Sequence, residues 1–101
     1  MAVEPIVVTV DRDIEDLVPL FLAQRKADQA AIAEAIAVCD FATLRRVGHG
    51  MAGSGASYGF DYLSILGERI VNAARASDTA TLGLLKRAFD DYMARVSVKF
   101  A

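Results

Sequence analysis

The sequence has little of what metal sites, disulfide frameworks and membrane anchors are made from. Among its 101 residues are one cysteine, one histidine and two prolines. A lone Cys39 excludes an internal disulfide and a zinc site built on cysteines. A single histidine leaves no second imidazole to complete a metal or haem site, so no metal and no cofactor is expected. No apolar run approaches the roughly 18–20 residues a membrane helix needs. The opening Met1-Ala2-Val3-Glu4-Pro5 lacks the basic stretch that leads a secretory signal. A cytoplasmic location is therefore expected. Positive charge is not in excess either: 11 Lys and Arg against 13 Asp and Glu leave a net charge of −2. With no basic stripe, nucleic acid is not an expected partner, and neither is a membrane.

What is present is apolar and alanine-rich. Hydrophobic residues make up 54% of the chain, enough for one core, while the length is too short for a cofactor-enclosing enzyme with a separate substrate lobe. Residues 1–10 end in the β-branched run Ile6-Val7-Val8-Thr9-Val10, which has no evident partner strand and reads as an extended N-terminal arm lying on the domain or on a partner. From residue 11 to 101 the pattern is helical. A short helix is predicted over 12–17 and a long one from Pro19 to Cys39, with Pro19 in its first turn, where a missing N–H costs nothing. Cys39 falls on an apolar helical face and reads as a small core residue. Asp40 suits the cap of the next helix, from Phe41 to about Tyr58, and Gly59 suits the left-handed residue that ends it. A third helix is predicted over about 61–76, with Ser77-Asp78-Thr79 ending it and capping the fourth. The stripe Leu82, Leu85, Phe89, Tyr92 or Met93, Val96, Phe100 carries that last helix toward the end of the chain. The predicted fold is all-α, an antiparallel up-and-down four-helix bundle with a short extra N-terminal helix.

The lone histidine sits in an unusual setting. His49 lies in Gly48-His49-Gly50-Met51-Ala52-Gly53-Ser54-Gly55-Ala56-Ser57-Tyr58-Gly59, while Phe41, Leu44, Val47, Met51 and Tyr58 form an apolar stripe that leaves His49 toward solvent. Four glycines inside one helix cost about 3–4 kcal/mol relative to alanine, a large share of a domain stability of about 5–15 kcal/mol. One turn before His49 stand Arg45 and Arg46; one and two turns after it stand Ala52, Gly53 and Ala56. A nucleophile that must enter another protein's active site needs such surroundings. Small neighbours (Gly50, Ala52, Gly53, Ala56) form a docking surface that allows close approach, and guanidinium groups hold a phosphoryl anion. A solvent-exposed imidazole is mostly neutral, and so nucleophilic, at pH 7. The plainer reading is a surface histidine on a helix whose glycines serve close helix packing. Elsewhere, Arg25 and Asp28 read as a polar layer or a surface pair, and Glu68-Arg69 and Asp90-Asp91 as solvated faces.

The segment from His49 to Gly59 resembles the signature of histidine-containing phosphotransfer (HPt) domains, His-x-x-Lys-Gly-Ser-Ser-x-x-x-Gly, with His49, Gly53, Ser54 and Gly59 in register. The preceding Asp-Phe-x-x-Leu-Arg-Arg-x-Gly-His and the entry Asp-x-x-x-Leu-x-Pro-x-Phe-Leu are also similar to bacterial members. The resemblance implies a four-helix bundle in which His49 takes a phosphoryl group from a receiver-domain aspartate and passes it to another. It implies no kinase or phosphatase activity of its own, with Mg²⁺ and the acidic pocket on the receiver. The implied partners are response-regulator receiver domains and a hybrid histidine kinase, and the expected working form is a monomer. Two positions depart from the signature: its lysine is Ala52 and its second serine is Gly55. Arg45 or Arg46 is expected to take over the lysine's part, with Arg75, where some members of the family carry a basic residue near the histidine, as a further candidate. A degenerate module that docks receivers without carrying phosphate is the alternative that Ala52 suggests.

Overall fold

The computed structural model describes residues 4–101 of the chain, so the first three residues of the expected arm lie outside it. In chain order the elements are strand β1 (Ile6–Val10), a 3-10 segment (Arg12–Leu17), helices α1 (Val18–Ala37), α2 (Phe41–Tyr58), α3 (Asp61–Arg75) and α4 (Thr79–Arg95), and strand β2 (Val96–Phe100). The molecule is mostly helical, as predicted, with a small sheet added.

The helices begin and end where local chemistry dictates. Asp40 Oδ1 accepts from the Thr43 amide at 3.1 Å and its Oδ2 from the Thr43 hydroxyl at 2.6 Å. Asp78 repeats the device on Thr81 at 3.0 and 2.6 Å, so two of the four helices carry a side-chain acceptor for an otherwise unpaired N–H. Three helix ends close alike, each with a left-handed residue: Cys39 (φ 55°), Gly59 (φ 84°) and Ser77 (φ 53°). The next amide then reaches five residues back, from Asp40 to the Ala35 carbonyl at 2.8 Å, Phe60 to Gly55 at 2.8 Å and Asp78 to Ala73 at 2.9 Å. This turn overturns the core reading of Cys39. The helix stops at Ala37, and Cys39, swung out by its positive φ, is exposed.

These caps titrate. Hydrogen bonds from Thr43 and Thr81 hold the Asp40 and Asp78 carboxyls below the usual carboxylate value. A carboxylate with a lowered folded pKa stabilises the fold above its unfolded pKa, and that stabilisation is lost as pH falls through the folded value. Melting temperature should therefore drop below about pH 4, and the double variant Asp40→Asn/Asp78→Asn, scanned from pH 7 to pH 2, should drop less steeply than the parent. Parallel curves would remove the caps from the acid response.

The strand run at the start of the chain does have a partner. β1 pairs in parallel with β2, Ile6 opposite Val96 and Val10 opposite Phe100, and the pair is fastened by Arg12 N–H to Ala101 O and Ala101 N–H to Val10 O, both at 3.1 Å. Val96 and Phe100 thus leave the helical stripe to which the sequence reading assigned them. At Val96 the backbone turns extended (φ −64°, ψ 133°). Val96, Val98 and Phe100 also fit a period of two, and alternation fixes which face of the sheet meets the core. Ile6, Val8, Val96, Val98 and Phe100 pack on the core, with Val10 inside it.

The core follows the predicted stripes of α2 and α4, with Leu44, Met51 and Phe89 fully enclosed, and Phe60 and Leu63 are fully enclosed as well. Each helix packs on the next in sequence, and α4 returns against α1. Among the described residues no helix is long and apolar enough to cross a membrane.

The α2–α3 contact is the most intimate and has a specific cause. A Cβ on Gly67 of α3 would lie 2.4 Å from the Gly48 carbonyl oxygen and 2.6 Å from the Ala52 amide. One on Gly48 would lie 2.8 Å from the Gly67 oxygen, and one on Gly55 would lie 2.7 Å from the Ser64 amide. The two backbones touch directly. Ser64 adds a hydrogen bond from its hydroxyl to the Ala52 carbonyl at 2.8 Å.

Candidate functional site

The glycines around His49 divide into two kinds. Gly48 and Gly55 face α3 and admit no side chain, whereas a Cβ on Gly50 or Gly53 would meet nothing within 4 Å. The first pair answers the plainer reading, close helix packing. The second pair is not required by packing, lies exposed beside His49, and lowers helix propensity with no structural return. Gly55, where the signature has its second serine, is explained by the same geometry: any side chain there would strike the Ser64 amide and the Phe60 carbonyl.

His49 stands exposed in the middle of α2 and borders an open groove of about 470 Å³ between α2 and α3. Ala52, Gly53 and Ala56 line the α2 side, and Glu68, Asn72 and Arg75 stand along the α3 side. The small residues keep the α2 side low. The α3 residues recur at spacings of four and three, so one face of α3 presents a carboxylate, an amide and a guanidinium in succession.

The structure therefore sorts the cations named from sequence. Arg75 shares the groove with His49, although it comes from the next helix. Arg45 and Arg46 are exposed on α2 and do not line the groove. The positive charge of Arg46 is felt instead at Asp28 in α1, where burial raises the carboxyl and Arg46 opposes the rise, and at Asp40 at the start of α2, where it adds to the lowering by Thr43. Among the described residues none of the three arginines is within 4 Å of a carboxylate oxygen. Of the expected docking surface, Ala52, Gly53 and Ala56 border the groove, while Gly50 is exposed outside it.

One feature escaped the sequence reading, and a second was left open by it. Glu68, read there as part of a solvated face, lines the His49 groove. Its spacing to Asn72 and Arg75 was visible, but a polar helical stripe looks the same whether it faces bulk water or a shared groove. Arg25 and Asp28, left open as layer or surface pair, prove to be a buried pair, with Arg25 Nε 2.8 Å from Asp28 Oδ2.

No family model, no curated protein and no solved structure matches this chain.

Proposed function

We propose that this protein is a histidine phosphocarrier of the HPt kind, with the four helices arranged as an antiparallel up-and-down bundle and His49 as the phosphoryl acceptor. The observation that carries the reading is the placement of the lone imidazole: exposed, beside a groove with a low wall of small residues, with a guanidinium on the facing helix that has no carboxylate partner among the described residues. In this mechanism Nε2 of His49 attacks the phosphorus of a receiver's aspartyl phosphate in line. The N–P bond forms as the P–O bond breaks, and the aspartate leaves as carboxylate. Transfer onward reverses the same step. The Mg²⁺ and acidic pocket belong to the receiver, so this chain supplies positioning and electrostatic stabilisation and has no kinase or phosphatase activity of its own. The partners are receiver domains and a hybrid histidine kinase, and the setting is the cytoplasm.

Arg75 takes the part that the signature gives to the lysine replaced by Ala52. A charge-assisted hydrogen bond contributes about 1.5–3 kcal/mol. Arg75→Ala should accordingly slow transfer or shorten phosphohistidine lifetime by roughly 10–100-fold, while Arg46→Ala changes either by less than about threefold, a surface charge facing elsewhere being worth little. Adding Ala52→Lys to Arg75→Ala should recover much of the loss. The opposite ranking of the two arginines would assign the cation to α2.

The reading is tested by incubating the full chain with a purified receiver domain charged with acetyl phosphate, then assaying this chain for label that is acid-labile and base-stable. Such label supports a phosphocarrier. If Ala52→Lys takes label readily and the wild-type protein takes none, the protein is instead a docking module that keeps the shape of a carrier without its chemistry.

A further inference from the structure

Opposite the groove, on the flank of α2 that faces α1, a buried polar network ends beside His49. Arg25 is 95% buried by its 5% exposure, and Asp28 is nearly as enclosed. The guanidinium lies over the Phe21 ring at 5.0 Å, and Phe21 in turn stacks on Phe60 at 4.7 Å. Asp28 Oδ1 also accepts from Gln24 at 3.3 Å. Desolvation pushes the Asp28 carboxyl above its usual value against the opposing pull of Arg25. Such a pair is no thrifty source of stability, since apolar residues of similar volume commonly do as well.

Its geometry points elsewhere. Arg25 Nη1 donates to Ser54 Oγ at 2.9 Å, among the described residues the only hydrogen bond between side chains of α1 and α2. The Ser54 hydroxyl donates onward to the Gly50 carbonyl, in the residue next to His49. On the other flank the Ser64 hydroxyl holds the Ala52 carbonyl. The stretch of α2 that carries His49 is thus gripped from both neighbouring helices, at the place where Gly50 and Gly53 leave it least able to hold its own shape.

We infer that Arg25 and Ser54 are positioning residues for His49: the buried guanidinium, acting through the Ser54 hydroxyl on the Gly50 carbonyl, fixes the α2 backbone so that the ring keeps one place relative to the α3 wall. The inference rests on the phosphocarrier reading. Replacing Arg25 by an apolar residue would leave Asp28 buried without its partner, so the informative variants are Ser54→Ala, which removes the link, Ser54→Thr, which retains the hydroxyl, and Arg25→Lys, which retains the charge near Asp28 but loses the fork.

With a phosphorylated receiver as donor, Ser54→Ala and Arg25→Lys should lower kcat about tenfold, a loss of the size of one charge-assisted hydrogen bond, at an unchanged half-saturating receiver concentration. Ser54→Thr should restore the rate. Labelling by phosphoramidate, a small donor that needs no fixed geometry, should stay within about twofold of wild type. An unchanged kcat in Ser54→Ala, or a raised half-saturating concentration with kcat intact, overturns the inference, the latter making Ser54 a docking residue. Amide hydrogen exchange separates the two ideas. If wild-type protein takes label from neither donor, the phosphocarrier reading fails by itself. The network is then judged by exchange at Ala52–Ser54, which should quicken about tenfold in Ser54→Ala while α4 is unaffected; unchanged exchange there overturns it too.

Discussion

Replacing His49 by glutamine is expected to abolish phosphoryl acceptance and to leave the fold untouched. The chain has no second imidazole to take over, so the loss should reach the detection limit of an acid-labile label. His49 is exposed on α2 and, among the described residues, no hydrogen bond involves its ring, so thermal unfolding should shift by no more than surface substitutions usually cause, about ±0.5 kcal/mol. Glutamine has better helix propensity than histidine, which works in the same direction. The two readouts must separate. Acid-labile label persisting on His49→Gln removes His49 from the mechanism, and a melting temperature that falls by ten degrees makes the imidazole a structural element.

Gly67→Ala is expected to be the opposite case, a single methyl that damages the fold. Its Cβ would sit 2.4 Å from the Gly48 oxygen and 2.6 Å from the Ala52 nitrogen, both backbone atoms, so no side-chain rotation can make room and α2 must move away from α3. Overpacking of this kind costs about 1–3 kcal/mol and sometimes more. With two rigid backbones in the way, about 3 kcal/mol is expected, a fall of more than about 10 °C in a domain of this size. The control lies one helix away. Gly50→Ala and Gly53→Ala meet nothing and should each stabilise by up to about 1 kcal/mol. Comparable losses at all three positions in chemical denaturation would mean that α2 and α3 do not touch as described. Because Gly48, Ala52 and His49 share this stretch of α2, Gly67→Ala should also lower phosphoryl acceptance at temperatures where it remains folded.

The local features of this protein are legible in the order of its residues. Asp40 and Asp78 mark helix starts because a carboxylate next to a free amide needs only its own turn of chain. Gly59 marks a helix end because its left-handed backbone suits glycine. The stripes through Leu44, Met51 and Phe89 marked buried faces, since helical period and solvent aversion act along one element. His49 stood out because a lone imidazole among small residues is visible without any fold. Tertiary structure decided whatever depended on residues distant in sequence. β1 found its partner in β2, at the other end of the described chain, and no periodicity within either strand carries the identity of the other. Val96 and Phe100, four apart, could extend a helical stripe or, with Val98 between them, form a strand until a neighbour supplied the hydrogen bonds. Only the α2–α3 contact separated the glycines a backbone presses against from those that face open space. Only that contact brought Arg75 and Glu68 to the groove of His49, and only the packing of α1 buried Arg25 and aimed it at Ser54. A side chain's charge and shape are written in the sequence, but which neighbour it meets depends on how two surfaces from different helices come together.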